Sequence, residues 1–226
     1  MVEGLSNLSV DVNRLNEQVY EALRDEILKG NLKPGQRLPI NTIADHLGIS
    51  ATPVRDAVLH LNTDGLVEII PRRGTFVSVL KRKNIQEVFD ARRIIECAAA
   101  ERATKPQEDV VEQMKKLVNE IASLREDERF RDYRRYIDLD VKFHHCLVEL
   151  LENKLVTRIY EQLHWPLQVV RMLSYADYHR ASGTVSEHQA ILQGLVKKDV
   201  LEAEVAIRDH LDHAEADLLR RMQLQR

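Results

Sequence analysis

The sequence predicts a mainly α-helical protein: a small N-terminal helical unit closed by a β-hairpin, then an all-α antiparallel helical bundle. Three observations carry that reading. Apolar residues recur at helical spacing through most of the 226 residues, beginning with Val19, Leu23, Ile27 and Leu28. Over residues 67–79 the period falls to two, with Pro71-Arg72-Arg73-Gly74 as a turn between the alternating runs. From Asn84 onward no such alternation returns, and Pro106, Asp132, Asn153, Ser182 and Asp199 divide the remainder into about six amphipathic stretches.

Composition limits the function classes. Hydrophobic residues make up 44% and charged residues 31%, the balance of a soluble globular chain, and a 5% aromatic content leans toward helix. No apolar run approaches a membrane span, and the N-terminus lacks the basic-then-apolar plan of a signal peptide. Cys97 and Cys146 form no CxxC pair, which fits a reducing cytoplasm, and no membrane partner is expected. The net charge of -3 does not advertise nucleic-acid binding, and residues 1–80 carry eight Lys/Arg against ten Asp/Glu. Any DNA-binding reading therefore rests on where particular basic residues stand.

Each element follows from local signals. Residues 1–13 have no sustained periodicity and read as a flexible arm. A first helix runs from Asn16 to Gly30, and Lys33-Pro34-Gly35 makes a turn. A short second helix places Ile43, Ala44 and Leu47 inward and stops at Gly48. Ser50 caps a third helix, from Thr52 to about Asp64, with Val54, Ala57, Val58 and Leu61 on its buried side. The hairpin follows Gly65. Helix, helix, turn, helix and hairpin is the order of a winged helix-turn-helix, assigned to residues 14–80. Lys81-Arg82-Lys83 reads as a linker, and residues 84–226 are long enough for a core of their own.

A helix of this kind reads DNA by laying its exposed N-terminal residues in the major groove. The third helix offers Ser50, Thr52 and Arg55 opposite Val54, Val58 and Leu61. Hydroxyls and free N-terminal amides suit phosphate oxygens. A bidentate contact from Arg55 to guanine is worth roughly 1–3 kcal/mol of discrimination. Arg72 and Arg73 at the hairpin tip suit the adjacent minor groove or its phosphates. The alternative is that Arg55 pairs with Asp56 or Glu68 and that the basic turn is merely solvated.

The ordered set is more specific than any member. Pro34-Gly35-Gln36-Arg37-Leu38, Ile43-Ala44-Asp45-His46-Leu47-Gly48-Ile49-Ser50, Thr52-Pro53-Val54-Arg55-Asp56-Ala57-Val58 and Pro71-Arg72-Arg73-Gly74-Thr75-Phe76-Val77 together resemble the DNA-binding domain of the GntR family. The resemblance covers nearly all of residues 15–80. It implies a dimeric repressor or activator, read here as a repressor, that binds a double-stranded palindromic operator as a homodimer. It adds Arg37 and Gly74 to the DNA-facing set. The family commonly carries arginine where this chain has Ala51, and often a polar or basic residue at Thr42, so the operator preference is expected to differ.

A second constellation lies in the bundle. Asp140 and His144 share a helix face with Ile137, Phe143, Leu147 and Leu151. His188 lies among Val185, Leu192 and Leu195, and His210 among Ile207, Ala214 and Leu218. One inward histidine is more often a hydrogen-bonded core residue than a ligand. Three with a carboxylate are costly to bury unless a divalent cation offsets them. The set suits zinc first, with nickel, manganese or iron as alternatives. His145 and His213 read as solvent-facing or flanking.

Asp140-Val141-Lys142-Phe143-His144, Glu187-His188-Gln189-Ala190-Ile191 and Ala206-Ile207-Arg208-Asp209-His210-Leu211 resemble the FCD effector domain of the FadR-like branch of that family, over about residues 84–222. The resemblance implies one metal held by Asp140, His144, His188 and His210, within a pocket whose effector is a small carboxylate. Arg92 matches the family's Arg-x-x-x-Glu pattern and is the first candidate for a cationic effector contact; Arg171 is a second. An intrahelical pair with Glu96 is the plain alternative for Arg92. Two other functional classes remain at this point: a metal-dependent hydrolase, and a DNA-binding protein whose metal is purely structural. The absence of an acid or base placed beside the four ligands favours a non-enzyme.

Overall fold

The computed structural model describes residues 12–79, 81–105, 107–163 and 178–224. Two compact units emerge, Met1–Val79 and Leu80–Arg226.

The first unit comprises α1 (Val12–Leu28), α2 (Ile40–Leu47), α3 (Ala51–Thr63), β1 (Val67–Ile70) and β2 (Gly74–Val77). Helix α1 begins inside the stretch read as an arm, so Val12 and Asn13 are helical. Val19, Leu23 and Ile27 of α1 and Val54, Ala57, Val58 and Leu61 of α3 are buried, as their spacing predicts. Helix α2 ends where Gly48 adopts a left-handed φ of 67°, a conformation that favours glycine. The strands pair antiparallel from Val67↔Val77 to Ile70↔Gly74. The segment before α2 lies along β2: Leu38 N donates to Thr75 O at 2.9 Å and Val77 N to Gln36 O at 2.8 Å. Leu47, expected inward, is 46% exposed, because it sits in the last turn of a two-turn helix that buries only Ala44. Ile69 also faces outward, beyond the reach of the small core.

The second unit contains α4 (Arg82–Ala100), a 3-10 turn (Glu101–Thr104), α5 (Glu108–Ser123), β3 (Arg125–Glu126), β4 (Arg129–Phe130), α6 (Tyr133–Glu149), α7 (Lys154–Glu161), α8 (Ala181–Lys197) and α9 (Val200–Leu224). Helix α4 starts within the expected linker, because the Asn84 side chain accepts from Lys81 N at 3.0 Å and caps the helix there. Asp132 and Asn153 accept backbone N–H groups at the starts of α6 and α7, and Asp199 does so for Glu202 N. The β3–β4 hairpin was not expected: strands of two residues are too short to register a period-two pattern. It turns through Asp127 at positive φ and buries Phe130 against Tyr136, ring centroids 4.0 Å apart.

Phe89, Met114, Ile121, Leu139, Phe143, Leu147, Ile191, Leu195, Ile207 and Leu211 form the core of this bundle. Helices α8 and α9 approach so closely at Gly194 that a Cβ there would lie 2.6 Å from the Ala203 backbone nitrogen. Among the described residues, no helix is long and apolar enough to cross a membrane.

Candidate metal centre and DNA-reading face

Helix α6 carries Asp140 and His144 one turn apart, so both enter the core from one face. His188 enters from α8 and His210 from α9. All four are at most 1% exposed, and one ligand atom from each lies within 4.8 Å of the others. His144 Nε2 and His210 Nε2 are 3.1 Å apart, and Asp140 Oδ1 lies 3.3 Å from His188 Nε2 and 3.7 Å from His144 Nε2. Among the described residues, neither ring nitrogen of His188 has a hydrogen-bond partner. Its ring is placed instead by edge packing on Phe143, with centroids 4.5 Å apart.

The outward nitrogens of the other two histidines are engaged. His144 Nδ1 donates to Glu96 Oε2 at 2.7 Å, and His210 Nδ1 donates to Glu187 Oε2 at 2.9 Å. Glu96 is fully buried and also receives Arg92 Nε at 2.7 Å and the Tyr160 hydroxyl at 2.5 Å. Burial alone would raise this carboxyl, but the Arg92 and His144 charges pull it far below the usual carboxylate range. Glu187 shows the same contest: burial works upward, while the His210 hydrogen bond and the Arg180 guanidinium bring it down to about 2. Burial lowers His188 and lowers His210 to about 3.

Burial favours the neutral form of His188 and His210, while Glu96 raises His144; three imidazoles converging on one carboxylate are the donor set that a divalent cation takes. Leaving such polar atoms buried and unpartnered costs roughly 1–3 kcal/mol each. The residues present therefore fit a metal ion.

Arg92 is 1% exposed and bound to Glu96, so the intrahelical pair is present, though buried rather than at the surface. Its Nη2 has no partner among the described residues, and its charge couples to Asp140. Arg171 lies outside the described residues. His213 is 62% exposed and bonds Glu187, while His145 lies between Glu149 and Glu161 at the surface. Sequence reasoning did not assign Glu187 or Tyr160 a role. Glu187 directly precedes His188, which was a usable signal; Tyr160 is 64 residues from Glu96 and gave none.

In the first unit the nominated arginines Arg37, Arg55, Arg72 and Arg73 make no ion pair among the described residues. Ser50 occupies the N-cap of α3 without spending its hydroxyl on a cap bond. Thr52 and Arg55 are exposed, and Arg55 makes no ion pair among the described residues; Asp56, its suggested partner, accepts instead from Asn16 Nδ2 at 3.1 Å. Arg72 and Arg73 are exposed in the turn, Arg72 at a φ of 61°. Arg37 lies against the turn end of the wing, where a Cβ on Gly74 would meet its Nε at 3.3 Å.

These two units define a helix-turn-helix transcription regulator with a helical C-terminal domain. The chain belongs to the gntR family of bacterial regulatory proteins, matched over residues 15–77, and carries an FCD domain, matched over residues 87–213. It is 27% identical to the HTH-type transcriptional repressor RspR of Escherichia coli K12 over 198 residues, 87% of this chain and 86% of RspR. A GntR transcriptional regulator from Rhodococcus sp. RHA1 has a similar structure, with a TM-score of 0.74 and 26% identity, over 90% of this chain and 97% of that one. The Zn2+-bound FCD domain of TM0439 shares the bundle fold, with a TM-score of 0.51 and 20% identity, over 64% of this chain and 98% of that domain.

Proposed function

We propose that this protein is a cytoplasmic homodimeric repressor whose affinity for a palindromic operator is set by a small carboxylate effector bound at a divalent metal ion. The observation that carries the reading is the His144–His210 pair: two Nε2 atoms 3.1 Å apart, with both Nδ1 atoms committed to carboxylates. Asp140, His144, His188 and His210 are the ligands. Zinc is the first choice, in keeping with the zinc named for the TM0439 domain, with nickel, manganese or iron as alternatives.

When bound, the ion supplies a Lewis-acidic centre with positions open to a ligand oxygen. Arg92 Nη2, buried and without a partner among the described residues, supplies a second contact for an anion, with Arg171 as a further candidate. Ser50, Thr52 and Arg55 read the major groove, and Arg37, Arg72, Arg73 and the Gly74 turn place the wing. Repression follows the name of RspR. Effector binding needs a coupling of roughly 1–3 kcal/mol to change operator affinity 5- to 150-fold.

Metal analysis of the purified protein, followed by a thermal-shift screen of small organic acids, tests this reading. A stabilising acid should lose its effect on His144→Ala and should change the gel shift of operator DNA. If no acid does either, the complete burial of the four ligands favours a purely structural ion instead.

A further inference from the structure

Two carboxylates sit behind the histidines, and they are arranged alike. In Glu96, Oε2 receives His144 Nδ1 while Oε1 receives Arg92 Nε and the Tyr160 hydroxyl. In Glu187, Oε2 receives His210 Nδ1 while Oε1 receives Arg180 and, at 2.9 Å, His213 Nδ1. In each, one oxygen aims a ring and the other is anchored by an arginine and a second donor. A ring whose Nδ1–H is fixed in this way must present its Nε2 lone pair inward.

We infer that Glu187, held by Arg180, is a positioning residue of the metal centre: it touches no ion but sets the orientation and tautomer of His210. The inference rests on the reading of Asp140, His144, His188 and His210 as a divalent-ion site. Glu187 is the half of the arrangement open to experiment. Its side chain is 15% exposed, so its removal leaves no sealed void, whereas removing the fully buried Glu96 would strand Arg92. The contrast with His188, which has no such carboxylate among the described residues, makes the His210 orientation a built feature rather than a by-product of burial.

The test uses full-length protein stripped with a chelator and titrated with Co2+, read by its visible absorption bands, with far-UV circular dichroism to establish that each variant is folded. Wild type should bind one Co2+ per chain. Glu187→Ala should bind it about 10–100-fold more weakly, with altered bands. Glu187→Gln keeps an oxygen acceptor for Nδ1–H and should recover to within about threefold of wild type. His213→Ala removes the exposed donor from the same carboxylate and should match wild type. Glu187→Ala with wild-type affinity and bands would overturn the assignment, and so would Glu187→Gln as weak as Glu187→Ala. Absence of Co2+ uptake by wild type itself would instead sink the ion site, and this assignment with it.

Discussion

His144 and His210 face one another in the bundle core, Nε2 to Nε2 at 3.1 Å, each backed at its far nitrogen by a glutamate from a different helix. Two lone pairs that close repel unless a proton or a cation lies between them. Of the two rings, His144 is the one that takes a proton more readily as pH falls. Burial works against its charge, but Glu96 raises its pKa, whereas burial dominates at His210. Any proton held there must leave before an ion binds.

Removal of the ion should destabilise the second unit. A ligand present at about 100 times its Kd adds about 2.7 kcal/mol, which corresponds to a Tm change of roughly 5–10 °C in a chain of this size. Chelation followed by differential scanning calorimetry measures it. An unchanged Tm after verified metal removal would count against an ion bound at these residues.

The ion-free protein should lose stability toward acid. His188 and His210 sit below their ordinary value of 6.5, His210 at about 3, so below pH 6.5 the unfolded chain binds protons that the native chain refuses. His144, with a raised pKa, acts oppositely: its contribution is complete below 6.5 and fades as pH rises through its folded value. Below 6.5 that contribution no longer changes, so His188 and His210 set the fall. Below 4.5 the loss steepens, as Glu187 is held at about 2. Tm measured against pH on chelated protein should therefore decline below pH 6.5, and His210→Asn should flatten the slope. A Tm that rises on the acid side contradicts this.

Gly194→Ala should be destabilising by about 1–3 kcal/mol, as overpacking of a tight contact is. In an open helix the same change would gain up to about 1 kcal/mol. Here the new Cβ would stand 2.7 Å from the Ala203 Cα, which is backbone and cannot rotate away, so α8 and α9 must separate. Urea unfolding measures the difference. A neutral or stabilising result would mean that the helices slide apart at little cost.

The helix and the wing should fail differently. Arg55→Ala should cost about 1–3 kcal/mol of operator binding and relax preference at one base pair. Arg72→Ala should weaken all sequences alike and reduce the salt slope by about 1. Gly74→Ala adds a Cβ at a φ of 112° and 3.3 Å from Arg37, so it should lower affinity by displacing the wing. Fluorescence anisotropy at several salt concentrations separates these effects. Equal losses on specific and random DNA for Arg55→Ala would remove its base-reading role.

By itself the sequence determined the order of elements, the polarity of α3 and the four inward polar residues of the bundle. Those features follow from local periodicity: Asp140 and His144 share a face because they are one turn apart, whatever α6 packs against. Only the tertiary structure decided which carboxylate turns to which ring. Glu96 is 48 residues from His144, and the meeting depends on how α4 crosses α6. It also decided that Leu47 faces out, that residues 125–130 pair as a hairpin, and that Glu96, already four residues from Arg92, also receives the Tyr160 hydroxyl from α7. Such pairings depend on helix packing, which no spacing along one helix encodes.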